Sequence, residues 1–478
     1  MNFNPFKLFK KNNLSKASIE FTKEILEDYN NNRPLGPQNK LCFAPFKSMY
    51  FSHYGKIVAC CYNRTSVLGQ YPKQSIRETW FGERADALRR YISQNNLDHG
   101  CEGCKMHILS GSYDVTKAKQ YDQVTLNRNG YPSVMEFELD NTCNLECEMC
   151  SGDFSSLIRK NREGRPPLKE PYDAAFVEQL AEFIPHLEEV KFYGGEPFLI
   201  EIYYDIWEKI IELNPSVRIS VQTNGTILNN RVKRIMEKAE FHLGVSIDSL
   251  EKVNYESIRK NATFERTMEN VEWFRNYCKE RNTFFGISAC AMPQNWHELP
   301  DFVRYCNSHN ITIYFNTVFF PTECGFPSLT PQKLQHIIEV LSLEKFPQNS
   351  AVEIKNKHHF EDQIRQLKHL LKEKKIEVPR LSKLENINDL KQFIEKFISD
   401  QPSWSDTDKN QKRKTIFAKL DELEIRLGET FDYASVFKHL NPELNNDIFV
   451  RNIINDIETL SIDDLVEGTN EFAIGNIW

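Results

Sequence analysis

An α/β fold with a largely parallel sheet is what the sequence predicts for residues 134–325, on three observations. Six short apolar runs alternate there with longer amphipathic ones, the pattern of repeated strand–helix units. The apolar runs are rich in β-branched and aromatic residues, as strands are. Four polar or glycine-rich signatures directly follow four successive runs, which is where a parallel sheet gathers its functional loops.

The strands come in order as VMEFELD (134–140), EEVKFYG (188–194), VRISVQT (217–223), FHLGVSID (241–248), TFFGISACA (283–291) and ITIYFNTV (311–318). The first alternates with period two, which fits a strand with two unlike faces. Between them the helical pattern covers 172–184, 203–213, 262–280 and 296–309. Six such strands suit a partial barrel or an open doubly wound sheet.

Two flanking regions differ. Residues 1–110 are rich in cysteine and aromatics, with little helix expected before 76–92. Beyond residue 330 the pattern is mostly helical, at 334–341, 362–374, 390–398 and 416–427, with NKHHF (356–360) and ISDQPSWSD (398–406) read as connections. The expected divisions are an extension over 1–40, a cysteine-rich domain over 41–125, the α/β domain over 130–325 and a helical region over 330–478.

At 478 residues the chain has length for two or three domains. A formal net charge of −7 gives no electrostatic case for a nucleic-acid partner, and KNQKRK (409–414) reads as a solvated helix face. No stretch reaches the roughly 20 apolar residues of a membrane helix. The basic opening MNFNPFKLFKKNNLSK lacks the apolar run of a signal peptide. Phe3, Phe6, Leu8 and Phe9 read as a flexible start or a small packing element rather than a membrane contact. The expectation is a cytoplasmic protein without a membrane partner.

In a reducing compartment, clustered thiols point to metal or catalysis rather than to disulfides. Of the twelve cysteines, Cys143, Cys147 and Cys150 form C-x3-C-x2-C just after the first strand. Three thiolates can hold three irons of a four-iron four-sulfur cluster and leave the fourth open. A sealed zinc site would instead want four ligands.

The motif resembles the signature of radical SAM enzymes. That resemblance implies the partial (β/α)6 barrel. It also implies a four-iron four-sulfur cluster whose open iron is chelated by S-adenosylmethionine, and reductive cleavage to a 5′-deoxyadenosyl radical that abstracts a hydrogen atom from substrate. An electron donor such as flavodoxin or ferredoxin is implied with it. Gly194, Gly195, Glu196 and Pro197 are similar to the family's GGEP motif, which binds the methionyl amino group. Ser246 and Asp248 resemble ribose contacts, with a helix cap as the plainer alternative, and Thr223 and Asn224 are nearby candidates. Met149 stands where the family has a residue touching adenine.

A second group comprises Cys42, Gly55 and Cys60 as G-x4-C, and Cys101 and Cys104 in CEGC. It looks like the SPASM or twitch auxiliary-cluster domain, here ahead of the barrel instead of behind it. A zinc ribbon shares this pattern, Cys61 is an alternative to Cys60, and His53 and His107 are alternative ligands. Tyr50, Phe51 and Tyr54 are expected to pack around that group. Cys324, in a loop after the sixth strand, is either a hydrogen-atom donor or thioether former or a bland loop thiol; Cys278, Cys290 and Cys306 read as packed thiols.

The substrate implied by analogy is a ribosomally made peptide or a protein, modified by cross-linking, epimerisation or oxidation. The alternatives are a small molecule such as a sugar or nucleotide derivative, and a non-catalytic iron–sulfur or zinc scaffold.

Overall fold

Nine strands join in one sheet in the computed structural model, which describes residues 21–109, 111, 113, 116–318, 321–375, 386–399, 406–428, 457, 462, 465 and 466. They are β1 (Ser48–Ser52), β2 (Lys56–Val58), β3 (Gly69–Gln70), β4 (Val134–Glu138), β5 (Glu189–Phe192), β6 (Arg218–Thr223), β7 (Phe241–Ser246), β8 (Phe285–Ala291) and β9 (Thr312–Thr317). The spatial order is β3-β2-β1-β4-β5-β6-β7-β8-β9. From β4 to β9 every neighbouring pair is parallel.

A doubly wound sheet reverses its strand order at a switch point. This one runs in sequence order through all six parallel strands, so the partial (β/α)6 barrel is the architecture. Val190 and Phe192, Ile219 and Val221, Leu243 and Val245, and Ile287 and Ala289 alternate into a core shared with the crossover helices, among them Glu201–Leu213 and Phe264–Arg281. The opposite face carries Lys191, Gln222, Ser246 and Ser288, all half-buried. The pleat thus separates an apolar helix-packed side from a polar inner side.

The cysteine-rich region is less separate than its sequence implies. Its strand β1 pairs in parallel with β4, Ser48 opposite Val134 through Ser52 opposite Glu138, and so extends the barrel sheet. Phe51 stacks on Phe137 at 5.3 Å within the barrel core, Tyr50 hydrogen-bonds Arg64, and Tyr54 donates to Asp153. These three aromatics serve the sheet and its loops rather than surrounding the cysteines. The region is also more helical than expected, with Lys23–Asn31 and Glu102–Leu109, and Gly82 divides the anticipated 76–92 helix into Ile76–Trp80 and Glu83–Ser93.

Contacts divide the chain into two compact units, Ala17–Lys374 and a second that includes Lys375–Trp478. The division falls at Lys374, not near residue 330, because Pro331–Ser342 and Ala351–Lys375 pack into the sheet's own core through Leu334, Ile338, Phe360 and Leu367. NKHHF is a helical stretch within Ala351–Lys375, not a connection. Its Asn356, a poor helix former by propensity, is fully buried and accepts the Ile313 amide of edge strand β9 at 2.9 Å. The amide of Asn356 donates to Ile311 O and Asn307 Oδ1, both at 2.8 Å.

In the second unit, Ile387–Ser399 and Asp406–Leu427 each bury an apolar stripe, and Arg413 and Lys391 tie them through Glu395 and Glu424. KNQKRK lies in the latter helix. The aromatic residues of the first ten positions, and 400–405 of ISDQPSWSD, lie outside the described residues. No described helix is long and apolar enough to cross a membrane.

Candidate active site

The loop leaving β4 is held from both sides by its main chain. On one side Asn141 Nδ2 donates to Gly152 O at 2.7 Å, Ser155 Oγ to Leu145 O at 2.7 Å, and Ser156 Oγ accepts the Cys143 amide at 3.2 Å. On the other, the Glu146 and Glu148 amides donate to Lys260 O and Ile258 O, at 3.1 and 2.9 Å. Arg162 donates to the carbonyls of Cys147 and Cys150. The three thiols thereby share one loop at the carboxyl end of β4, with Cys147 the most buried.

Burial pushes all three thiols above their usual range, Cys143 and Cys150 to about 12, and the neighbouring thiols add to the rise at Cys150. Three buried thiols disposed this way become thiolates when a cationic metal compensates them. Among the described residues, the one group of three ligand atoms within 4.8 Å of each other is Glu251, His297 and Glu298. Thiols spread over a loop fit a cluster in which each takes its own iron.

GGEP follows β5 and joins three strand ends. Gly194 and Gly195 have φ of +80° and +41°, and a Cβ on them would meet Asp140 O at 2.7 Å and Thr142 O at 2.1 Å. Only glycine fits that left-handed, close approach to the cysteine loop. The Glu196 amide then donates to Thr142 O at 2.8 Å. Its carboxylate, fully buried, accepts from Thr223 Oγ1 and the Asn224 amide, both at 2.7 Å, and from the Phe198 amide at 3.2 Å. Burial raises its pKa to about 7 against those three donors. Asn224 in turn donates to Asn144 Oδ1 at 3.0 Å and reaches Cys143 Sγ at 3.9 Å. Glu196 is therefore spent on protein groups.

Ser246 Oγ, on the inner face, accepts from Gln222 Nε2 at 2.8 Å. Asp248, just after β7, is engaged by protein groups. It is fully buried, one oxygen accepts the Cys290 amide at 2.7 Å, and the other pairs with Arg259 Nη2 at 2.7 Å. Met149, Cys290 and Cys324 pack together on Ile258, Met292 and Val318, and the Cys324 thiol lies 3.6 Å from Glu148 O. Cys324 is thus brought against the cysteine loop. Cys278 and Cys306 are buried in the barrel core.

Cys42, Cys60, Cys101 and Cys104 line one pocket, with Asn63 and Lys117 among its other walls. Amides point at the sulfurs: Asn63 Nδ2 at 3.1 Å from Cys101 Sγ, the Asn63 amide at 3.4 Å from Cys60 Sγ, and the Ala44 amide at 3.3 Å from Cys42 Sγ. Such donors suit charged sulfur. Cys61 does not line this pocket; its charged neighbours are Lys117, Glu136, Arg64 and Lys191. His53 is buried 3.5 Å from Glu138 Oε1, His107 lies on Glu102–Leu109, and neither lines the pocket.

Sequence reasoning missed Arg259, Asn63 and Asn144. Each is an ordinary polar residue whose role depends on partners distant in the chain, and no local spacing marks it.

A radical SAM superfamily profile matches residues 138–306, and a profile described as an iron–sulfur cluster-binding domain, SPASM, matches residues 42–105. Among curated relatives, an uncharacterized protein of Methanocaldococcus jannaschii is 24% identical over 221 residues, 44% of this chain and 67% of the relative. A GTP 3',8-cyclase of Clostridium perfringens (strain SM101 / Type A) is 24% identical over 183 residues, 38% of this chain and 54% of the relative, so the match spans about half of that enzyme. Among solved structures, native anSMEcpe with bound AdoMet aligns with a TM-score of 0.34 at 18% identity, covering 44% of this chain and 58% of that one. Streptococcus suis SuiB bound to S-adenosylmethionine aligns at 0.33 and 14%, covering 54% and 58%. The two domain matches imply a four-iron four-sulfur cluster with S-adenosylmethionine and an auxiliary iron–sulfur cluster. The chain thus carries a radical SAM superfamily domain with a SPASM domain placed ahead of it.

Proposed function

We propose that this enzyme abstracts a hydrogen atom from a ribosomally made peptide or a protein and so modifies it after synthesis. The observation that carries the reading is the joining of three strand ends, through GGEP and Thr223–Asn224, onto the loop of Cys143, Cys147 and Cys150. Those thiols would hold three irons, and Cys42, Cys60, Cys101 and Cys104 would hold the second cluster. When bound and reduced, the first cluster supplies the electron that cleaves S-adenosylmethionine to the abstracting radical.

The chain's own residues prepare the surroundings. With the Glu196 carboxylate engaged by Thr223, Asn224 and Phe198, the GGEP turn would meet the methionyl amino group through its main chain. Ser246 and Gln222 offer hydroxyl and amide groups on the half-open inner face, and Met149 an apolar surface. Cys324, beside Met149, is in reach of that neighbourhood as a hydrogen donor or thioether former. The electron donor is a flavodoxin or ferredoxin, the compartment the cytoplasm, and neither nucleic acid nor membrane takes part.

The pairing of a radical SAM domain with a SPASM domain supports the peptide class, by analogy alone. The GTP 3',8-cyclase relatives favour a second reading, a nucleotide or other small-molecule substrate. The test uses reconstituted, dithionite-reduced enzyme with S-adenosylmethionine, supplied in parallel with peptides encoded beside its gene and with GTP. Formation of 5′-deoxyadenosine with a mass change in a peptide supports the first reading, and with consumption of GTP the second. Intact S-adenosylmethionine throughout, in protein that holds its iron, leaves only a scaffold.

A further inference from the structure

The segment Ile258–Lys260 lies against the middle of the three-cysteine loop as a short bracket. Ile258 O and Lys260 O accept the amides of Glu148 and Glu146, the residues on either side of Cys147. This register sets Arg259, between the two carbonyls, opposite Cys147, between the two amides. The Asn261 side chain adds a bond to Glu146 Oε1 at 3.0 Å.

Arg259 is 5% exposed and Asp248 0%. Their contact is 2.7 Å, and Asp248 is itself fixed by the Cys290 amide at 2.7 Å and by Asn295, which donates to Asp248 O at 2.6 Å. The guanidinium Nε has no acceptor in this arrangement. Of the charges acting on Cys147, that of Arg259 is the largest and opposes the upward push of burial, while Asp248 acts the other way.

The other cations at the loop differ in kind. Arg162 is committed to the carbonyls of Cys147 and Cys150, and Lys260 is largely exposed, 3.9 Å from Glu148. Water screens an exposed charge far more than a buried one.

We propose that Arg259 is a positioning counter-ion of the three-cysteine site: held by its ion pair with Asp248, it presents one fixed positive charge to Cys147 and so eases reduction of the cluster held there. This rests on the proposed cluster ligation by Cys143, Cys147 and Cys150. Reduction adds one electron and one negative charge to a site where burial disfavours charge. The Arg259 cation offsets that addition, and the Asp248 carboxylate paired with it opposes it. Arg259 neither ligates iron nor transfers a proton.

The test is an anaerobic redox titration of the reconstituted full-length protein with dithionite as reductant, followed by electron paramagnetic resonance. The signal that changes on adding S-adenosylmethionine identifies the three-cysteine cluster, and the other signal serves as internal reference. Arg259→Gln lowers the midpoint potential of the first signal, Arg259→Lys keeps it near wild type, and Asp248→Asn, which leaves the cation uncompensated, raises it. The reference signal stays put in all three. Loosened packing cannot produce shifts of opposite sign, so the Asp248→Asn result decides the matter even if Arg259→Gln does not fold. Unchanged potentials in iron-replete variants, or equal loss of iron from the Gln and Lys variants, overturn the proposal. Wild-type protein that takes up no iron at Cys143, Cys147 and Cys150 overturns the ligation as well.

Discussion

The carboxylate of Glu196 accepts the hydroxyl of Thr223 at 2.7 Å, tying the end of β5 to the end of β6 from a position sealed from water. The folded carboxyl, with its pKa near 7, binds a proton more tightly than the unfolded one near 4.5. That contribution to stability is full below pH 4.5 and is lost as pH rises through 7, by about 3 kcal/mol over the window. Denaturant titrations of metal-free protein between pH 5 and 8 should show the loss, and Glu196→Gln should flatten it. An identical slope in both proteins would count against the buried, protonatable carboxyl.

Gly195→Ala should disable the three-cysteine loop without unfolding the barrel. The new methyl would meet Thr142 O at 2.1 Å in a backbone with φ of +41°. Strain of this kind costs roughly 1–3 kcal/mol. Iron analysis should show loss from this site with the second site still filled.

At the second site, Cys60→Ala should abolish iron binding while Cys61→Ala leaves it intact, because only Cys60 lines the pocket. Asn63→Ala removes the 3.1 Å donor to Cys101 and should hasten oxidative loss of the second cluster severalfold. The absorbance decay in air of each variant reads both effects.

Asn356→Leu leaves the buried Ile313 amide and Ile311 carbonyl unpaired at the β9 edge. A loss of about 2–4 kcal/mol in chemical denaturation is expected, at about 1–3 kcal/mol for each unmet group with partial relaxation. Iron content should be little changed, since the substitution is remote from both cysteine groups.

All six barrel strands were legible because each alternates or concentrates apolar residues and ends at a polar signature. The C-x3-C-x2-C and GGEP motifs were legible because their chemistry is written in adjacent residues. What escaped was whatever depends on pairing across the chain. β1 reads as part of a cysteine-rich unit until it is seen beside β4. Asn356 and the two histidines of NKHHF look like a break until Asn356 is seen capping the β9 edge. The pairing of Asp248 with Arg259, eleven positions on, is of the same kind. Nothing local in SIRKN announces that arginine.

The most direct test of two cluster sites is the iron and sulfide content after anaerobic reconstitution. It compares wild type with the Cys143/Cys147/Cys150→Ala and Cys42/Cys60/Cys101/Cys104→Ala variants. The account predicts about eight irons and eight sulfides in wild type and about four of each in either variant, as two four-iron clusters require. About four irons in wild type with one zinc, the zinc lost only from the second variant, would contradict the second cluster. No iron at all would contradict the radical mechanism.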